Sequence, residues 1–143
     1  MRRIICLVVI TLMVASLAFA QKKKVITAND LAGLKGTWEG ILSFGVVQGE
    51  TSPAKLEIFN DTVPVKARLT VINVPSQLAS RLGIMGGQNL SESDNGIITS
   101  QGTLMWAGQQ AGNFFEVSLA GEKRLRALYY FRGLRGEATL KKK

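Results

Sequence analysis

Histidine is absent from this chain, and its single cysteine is Cys6. Without histidine no side chain has an ordinary pKa suited to general base work at neutral pH, and Ser-His-Asp chemistry is excluded. With one cysteine there is no intrachain disulfide. That cysteine sits inside an apolar N-terminal run, so no nucleophilic thiol is expected in the mature protein. Zinc sites draw on Cys and His and are disfavoured by the same scarcity. Acidic clusters are equally sparse. The only close pair is Glu92-Ser93-Asp94, which reads as loop, with Asp94-Asn95-Gly96 as a turn. The sequence therefore predicts no enzyme, no metal and no cofactor.

The first twenty residues read MRRIICLVVITLMVASLAFA. Arg2 and Arg3 precede an apolar stretch, and Ala18-Phe19-Ala20 supplies a small-residue cleavage site, the order of a secretory signal peptide. An uncleaved anchor is the alternative, but Ile4–Ala20 is at the short limit for a spanning helix. Lys22–Lys24 also balance the arginines, so neither side is favoured by positive charge. The reading is cleavage after Ala20, a secreted or periplasmic protein, and no stable membrane span afterwards. It divides the chain into a signal peptide (1–20), a lead-in segment (21–33) and one domain (34–143).

Charge is uneven. Residues 21–122 carry eight basic and nine acidic side chains, whereas residues 123–143 carry eight basic groups and one acid, Glu137. The basic character belongs to one end of the chain.

In the lead-in, Asn29-Asp30 is placed to cap one helical turn ending near Gly33. From Gly36 onward the dominant pattern is alternation with period two. Strands are expected over Thr37–Val47, Ala54–Phe59, Val63–Asn73, Gly96–Ser100, Thr103–Ala107, Asn113–Leu119, Arg124–Arg132 and Glu137–Lys141. Trp38, Leu42, Phe44 and Val46 share one face of the first, and Gln48–Pro53 reads as a polar connection. Gln101-Gly102 marks a hairpin, and Gly133–Gly136 a turn. The alternation breaks at Pro75–Gly83, where Leu78 and Leu82 lie four apart before a glycine, as in a short helix begun near Ser76. Gly83–Gly96 is rich in Gly, Ser and Asn and reads as a loop. Eight strands joined mostly by tight turns make a meander, and a meander removes its edges by closing on itself. The expected fold is all-β: an eight-stranded antiparallel up-and-down barrel with a short helix and loop inserted.

A closed barrel needs its ends covered. In Gly36-Thr37-Trp38-Glu39-Gly40 a large flat side chain stands between residues small enough to let the strand bend. Trp38 is therefore expected to plug one end. Gly36-Thr37-Trp38 on the first strand, after a short helical turn, resembles the opening of lipocalins and other calycins, and also that of avidin-like barrels. A broader likeness is to secreted bacterial lipocalin-like domains that open G-x-W-x-G-x-L. Their closing pattern is similar to Gly102-Thr103-Leu104, Phe114-Phe115, Leu119, Gly121, Leu125, Gly133, Gly136 and Thr139-Leu140-Lys141 here. Pro75–Asn95 has no counterpart in that pattern, and Arg126-Ala127 stands where it has a glycine. The resemblance implies a lipocalin-like barrel of uncharacterised function and names no ligand.

Two binding modes follow. A barrel of eight strands either fills with side chains or holds one small ligand. If it holds a small apolar ligand, Trp38, Phe44, Trp106, Tyr129 and Phe131 line the interior, with Leu78, Leu82 and Met85 as a lid. The alternative is an accessory or interaction module. Arg124, Arg126 and Arg132 share a strand face with Tyr130, and Arg135 and Lys141–Lys143 lie near. Such a face suits an anionic envelope partner, a polysaccharide or lipid head group; the bland reading is a solvated face with a frayed tail. Nucleic acid is not expected for an exported protein. Glu39, Glu57, Glu116 and Glu137 fall on the polar face of their strands, which disfavours a paired-carboxylate site.

Overall fold

The computed structural model describes residues 24–45, 50–108 and 112–143. The signal peptide (1–20) with Cys6, and Val46 and Val47 of the first expected strand, lie outside the described residues. A 3-10 turn, Ala28–Asp30, runs into a single α-helical turn, α1 (Leu31–Leu34). Eight strands follow: β1 (Gly36–Phe44), β2 (Thr51–Ile58), β3 (Val65–Val71), β4 (Leu90–Ile98), β5 (Leu104–Ala107), β6 (Phe114–Gly121), β7 (Arg124–Phe131) and β8 (Leu134–Lys142). One helix, α2 (Ser76–Leu82), interrupts them between β3 and β4.

The strands pair in chain order, all antiparallel, and β8 returns to pair with β1 along Trp38↔Lys142 to Phe44↔Gly136. The sheet closes, so every strand has a partner strand on each side. Alternation does what the sequence predicts. Val65, Ala67, Leu69 and Val71 of β3, and Leu125, Ala127, Tyr129 and Phe131 of β7, are buried inside. Glu39, Glu57, Glu116 and Glu137 fall outside that inward set.

Several boundaries differ from the sequence reading. Thr51–Pro53 belong to β2 rather than to a connection, and Pro53 lies opposite Ile41. β3 is two residues shorter at each end than the apolar run implied. β8 starts at Leu134, so the preceding turn is tighter than Gly133–Gly136. The largest correction is β4. Leu90–Asn95 is strand, not loop, and Asp94-Asn95-Gly96 is not a turn. Gly96 lies inside the barrel across from Trp106, and a Cβ there would overlap the indole. Glycine stands here because Trp106 needs the space, not because the chain turns.

The barrel has a closed and an open end. At the closed end Trp38 is 2% exposed, packs with Ile26, Leu31 and Leu34, and donates its Nε1–H to the Leu34 carbonyl at 2.8 Å. The end plug expected from Gly36-Thr37-Trp38 is present. The middle is filled by Trp106 stacked on Phe115, centroids 4.7 Å apart, with the Trp106 Nε1–H donated to the Val65 carbonyl at 2.7 Å. Toward the open end Phe44, Tyr129 and Phe131 form a chain of aromatic contacts. Helix α2 covers part of that end, burying Leu78, Ala79 and Leu82. Met85, expected beside them, is 71% exposed and takes no part. Gly83 ends α2 at φ 68°, and its missing side chain leaves room for the Arg132 guanidinium, which donates to the Leu82 carbonyl. The Glu50 carboxylate accepts from the Leu78 N–H at 3.2 Å, clipping the other end of the helix.

Candidate functional site

β4 is nine residues long, yet it pairs with β5 only over Gly96–Ile98. On its other side it pairs with β3 along its whole upper length, Leu90 to Gly96. Among the described residues, then, Leu90–Asn95 has a ladder on one side alone. β5 ends at Ala107, and Gly108 hydrogen-bonds to Asn113 before β6 begins. Among the described residues this leaves a seam in the barrel wall, close to the open end.

The residues of β4 that point inward beside the seam alternate Leu90, Glu92, Asp94 and Gly96. Two carboxylates thus occupy positions that an apolar side chain would take elsewhere in the barrel. They border a cavity of about 390 Å³ together with Leu90, Ser91, Ser93, Asn113 and Phe131. Asn113, 5% exposed, ties the far lip together. Its Oδ1 accepts from the Arg132 N–H at 2.9 Å, and its Nδ2 reaches Glu92 Oε1 at 3.4 Å. Glu92 Oε2 is buried and has no hydrogen-bond partner among the described residues. Burial pushes the Glu92 carboxyl above its usual range, the charge of Asp94 adds to this, and the Asn113 bond opposes it. Burial raises Asp94 as well. Burial also holds the Tyr129 phenol strongly toward its neutral form, and the neighbouring Glu92 charge adds to that.

The aromatic residues expected to line the interior divide into two groups. Trp38, Phe44 and Trp106 pack into the core with Leu42, Leu56, Leu104 and Phe115. Phe131 borders the seam cavity, and Tyr129 lies within reach of the Glu92 charge. Three other concavities, which lie around β1 and its neighbours β2 and β8, are lined by none of the five aromatics.

The basic residues are mostly occupied. Arg126 and Arg135 both contact Glu137, whose carboxyl is held below its usual range first by the Arg126 hydrogen bond. Arg132 is committed to the Leu82 carbonyl and lies over the Phe131 ring, 5.3 Å from its centroid. Lys142 donates to the Gly33 carbonyl at 2.6 Å and sits over Trp38, and Lys143 reaches Glu39 at 3.1 Å. The C-terminal lysines therefore strap the closed end and are not a frayed tail. Arg124 lies opposite Lys141 on the outer surface, and among the described residues neither forms an ion pair. Tyr130, on the same strand face, is stacked on Phe114 with centroids 4.4 Å apart.

Sequence reasoning missed Glu92, Asp94 and Asn113 as a group. The period-two pattern Leu90-x-Glu92-x-Asp94-x-Gly96-x-Ile98 is present, but it places polar residues where alternation is normally read as apolar. The signal was a strand with the wrong chemistry on its inner face.

Comparison with protein-family models and with curated protein sequences finds no match. Among solved structures the fold is similar to that of a redesigned β-barrel, with a TM-score of 0.58 and 13% identity, covering 82% of this chain and 98% of that one. At that identity the likeness concerns the barrel alone.

Proposed function

We propose that this is an exported, non-catalytic binding protein of lipocalin-like build that takes a small molecule at the seam beside its open end. The observation that carries the reading is the buried, unpartnered Glu92 oxygen at the edge of a cavity of about 390 Å³. Leaving a buried polar atom unsatisfied costs free energy, and binding sites are where such a cost is offset by a ligand. The volume falls within the roughly 300–1,000 Å³ of small-molecule sites. Export is supported by the signal-like order of residues 1–20, and the lipocalin-like reading by the Trp38 plug following a helical turn. Lack of histidine argues against catalysis. Phe131 and Leu90 offer the apolar side of the site, while Trp38, Phe44, Trp106 and Tyr129 pack in the core and hold the barrel's shape.

Native mass spectrometry of the protein purified from its own host tests this. The expected result is a mass above residues 21–143 that is lost on denaturation and lost in Glu92→Ala. A bare mass, together with no shift of Asn113 or Phe131 on exposure to host metabolite extract, would overturn it.

A second reading, an anionic envelope partner, is favoured by Arg124 and Lys141 facing each other on the surface. Like charges placed opposite are unfavourable, and an anion would relieve them. Retention on an anionic resin that falls with salt and with Arg124→Ala would support it; retention indifferent to both would remove it.

A further inference from the structure

We propose that the rim of the closed end docks on an anionic membrane surface, lying on the lipid rather than crossing it. This rests on the second reading above, an anionic envelope partner met through Arg124 and Lys141, and names that partner. Exposed apolar side chains gather at this end. Of the six large hydrophobic side chains that stand exposed among the described residues, four belong here: Val25, Phe59, Val63 and Ile97, each about half exposed. The strand pairing fixes their place. β2 ends with Ile58 opposite Gly36, so the hairpin after it, which carries Phe59 and Val63, emerges beside the Trp38 plug. Val65, two residues beyond Val63, lies opposite Gly96, the neighbour of Ile97. Val25 lies on the β4–β5 hairpin, where the Ile26 N–H donates to the Gly102 carbonyl at 2.7 Å and a Cβ at Gly102 would overlap the valine.

The same rim carries cations. Lys35 leads into β1, Lys123 and Arg124 turn into β7, and Lys141 stands opposite Arg124 on β8. All four are exposed, and among the described residues none forms an ion pair. The Lys142 N–H donates to the Lys123 carbonyl at 3.2 Å, which sets that turn against the strand end whose lysine covers Trp38. The acids of this end are mostly engaged: Glu39 with Lys143, Glu57 with Lys55 and Asp30 with Thr27. Asp61, at the tip of the β2–β3 hairpin, and Glu122 remain. The described chain also enters here, at Lys24, with Lys22 and Lys23 before it in the sequence. Charge alone would suit a soluble polyanion equally well. The apolar residues decide for lipid. A hydrated polysaccharide gives half-exposed aliphatic side chains nothing to enter, whereas at a bilayer surface they enter the boundary between head groups and acyl chains while Lys and Arg hold the anionic head groups.

The test is co-sedimentation of the protein purified from its host with vesicles of phosphatidylglycerol and phosphatidylcholine and with vesicles of phosphatidylcholine alone, beside binding to dextran sulfate. The expected result is partition onto the anionic vesicles that falls with salt and is at least about tenfold weaker on the neutral ones. Val63→Ser combined with Ile97→Thr changes exposed positions, so it should fold as the parent does. It should lose about tenfold on the anionic vesicles and leave dextran sulfate binding unchanged. Arg124→Ala combined with Lys141→Ala should lose about tenfold on both. Met85→Ser, at the open end, should alter neither. Equal binding of neutral vesicles, or anionic vesicle binding indifferent to Val63→Ser with Ile97→Thr, overturns the lipid assignment; dextran sulfate still held through Arg124 and Lys141 would then leave the anionic-partner reading standing. No binding to vesicles or to dextran sulfate overturns both.

Discussion

The two ends of this barrel are built from different materials. At the closed end, Ile26, Leu31, Leu34 and Trp38 are buried, the indole N–H has its acceptor, and the terminal lysines tie β8 down over the plug. At the open end the cover is a seven-residue helix clipped by Glu50 and Arg132, and the wall beside it parts at β4. The two buried side-chain oxygens left without partners among the described residues, Ser52 Oγ and Glu92 Oε2, both belong to the open half. One end is satisfied and structural, and the other holds groups whose needs the fold does not meet. Polar groups left in that state concentrate where a protein has work to do.

That contrast can be broken or sharpened by substitution. The largest effect is expected at the plug, where Trp38→Ala should cost about 3–5 kcal/mol in urea unfolding, as for other fully buried large aromatics. A loss below about 1 kcal/mol would mean that the closed end is not the structural one. Next comes the clip at the open end. Arg132→Ala removes a charged donor from the Leu82 carbonyl and should cost about 1.5–3 kcal/mol. Hydrogen exchange should then quicken in Ala79–Leu82 while β1 and β2 keep their protection. Uniform loss of protection would show that the two ends do not behave separately.

The smaller effects run the other way and should stabilise. Glu92→Gln removes a carboxylate whose folded-state pKa is raised by burial, and the linkage has a definite sign. A raised carboxyl favours folding most when it is protonated, below the ordinary value of 4.5, and that advantage is lost as pH rises through the folded value. The variant should therefore be more stable than the parent at pH 7, by a modest amount because water screens a half-exposed group. The gain should vanish as pH falls below the ordinary glutamate range. A gain that grows in acid would contradict the assignment. Ser52→Ala removes a buried hydroxyl without a partner and should be neutral or stabilising by up to about 1 kcal/mol in the same unfolding assay. A clear loss would place a hydrogen bond at Ser52 and weaken the contrast.

Legibility in the sequence follows the same division. Alternation along β1, β3, β6 and β7 and the Trp38 plug are readable because a strand with one face in a core must repeat apolar residues every second position. Leu90–Asn95 of β4 reads as loop because Ser, Asp, Asn and Gly are turn residues when judged alone. Pairing with β3 along Leu90–Gly96 overrides that preference. The seam required both this strand and the early end of β5, features separated in sequence and joined only by the closed sheet.

By itself, then, the sequence determined the class of fold, the number of strands, the plugged end and the absence of histidine or disulfide chemistry, all of which depend on local period and composition. Only the tertiary structure decided that Glu92, Asp94, Asn113 and Phe131 share one cavity and that the basic residues are largely spent on internal contacts. Those facts depend on register and closure. A residue's neighbours across a barrel are set by the pairing of strands far apart in the chain, which no local pattern encodes.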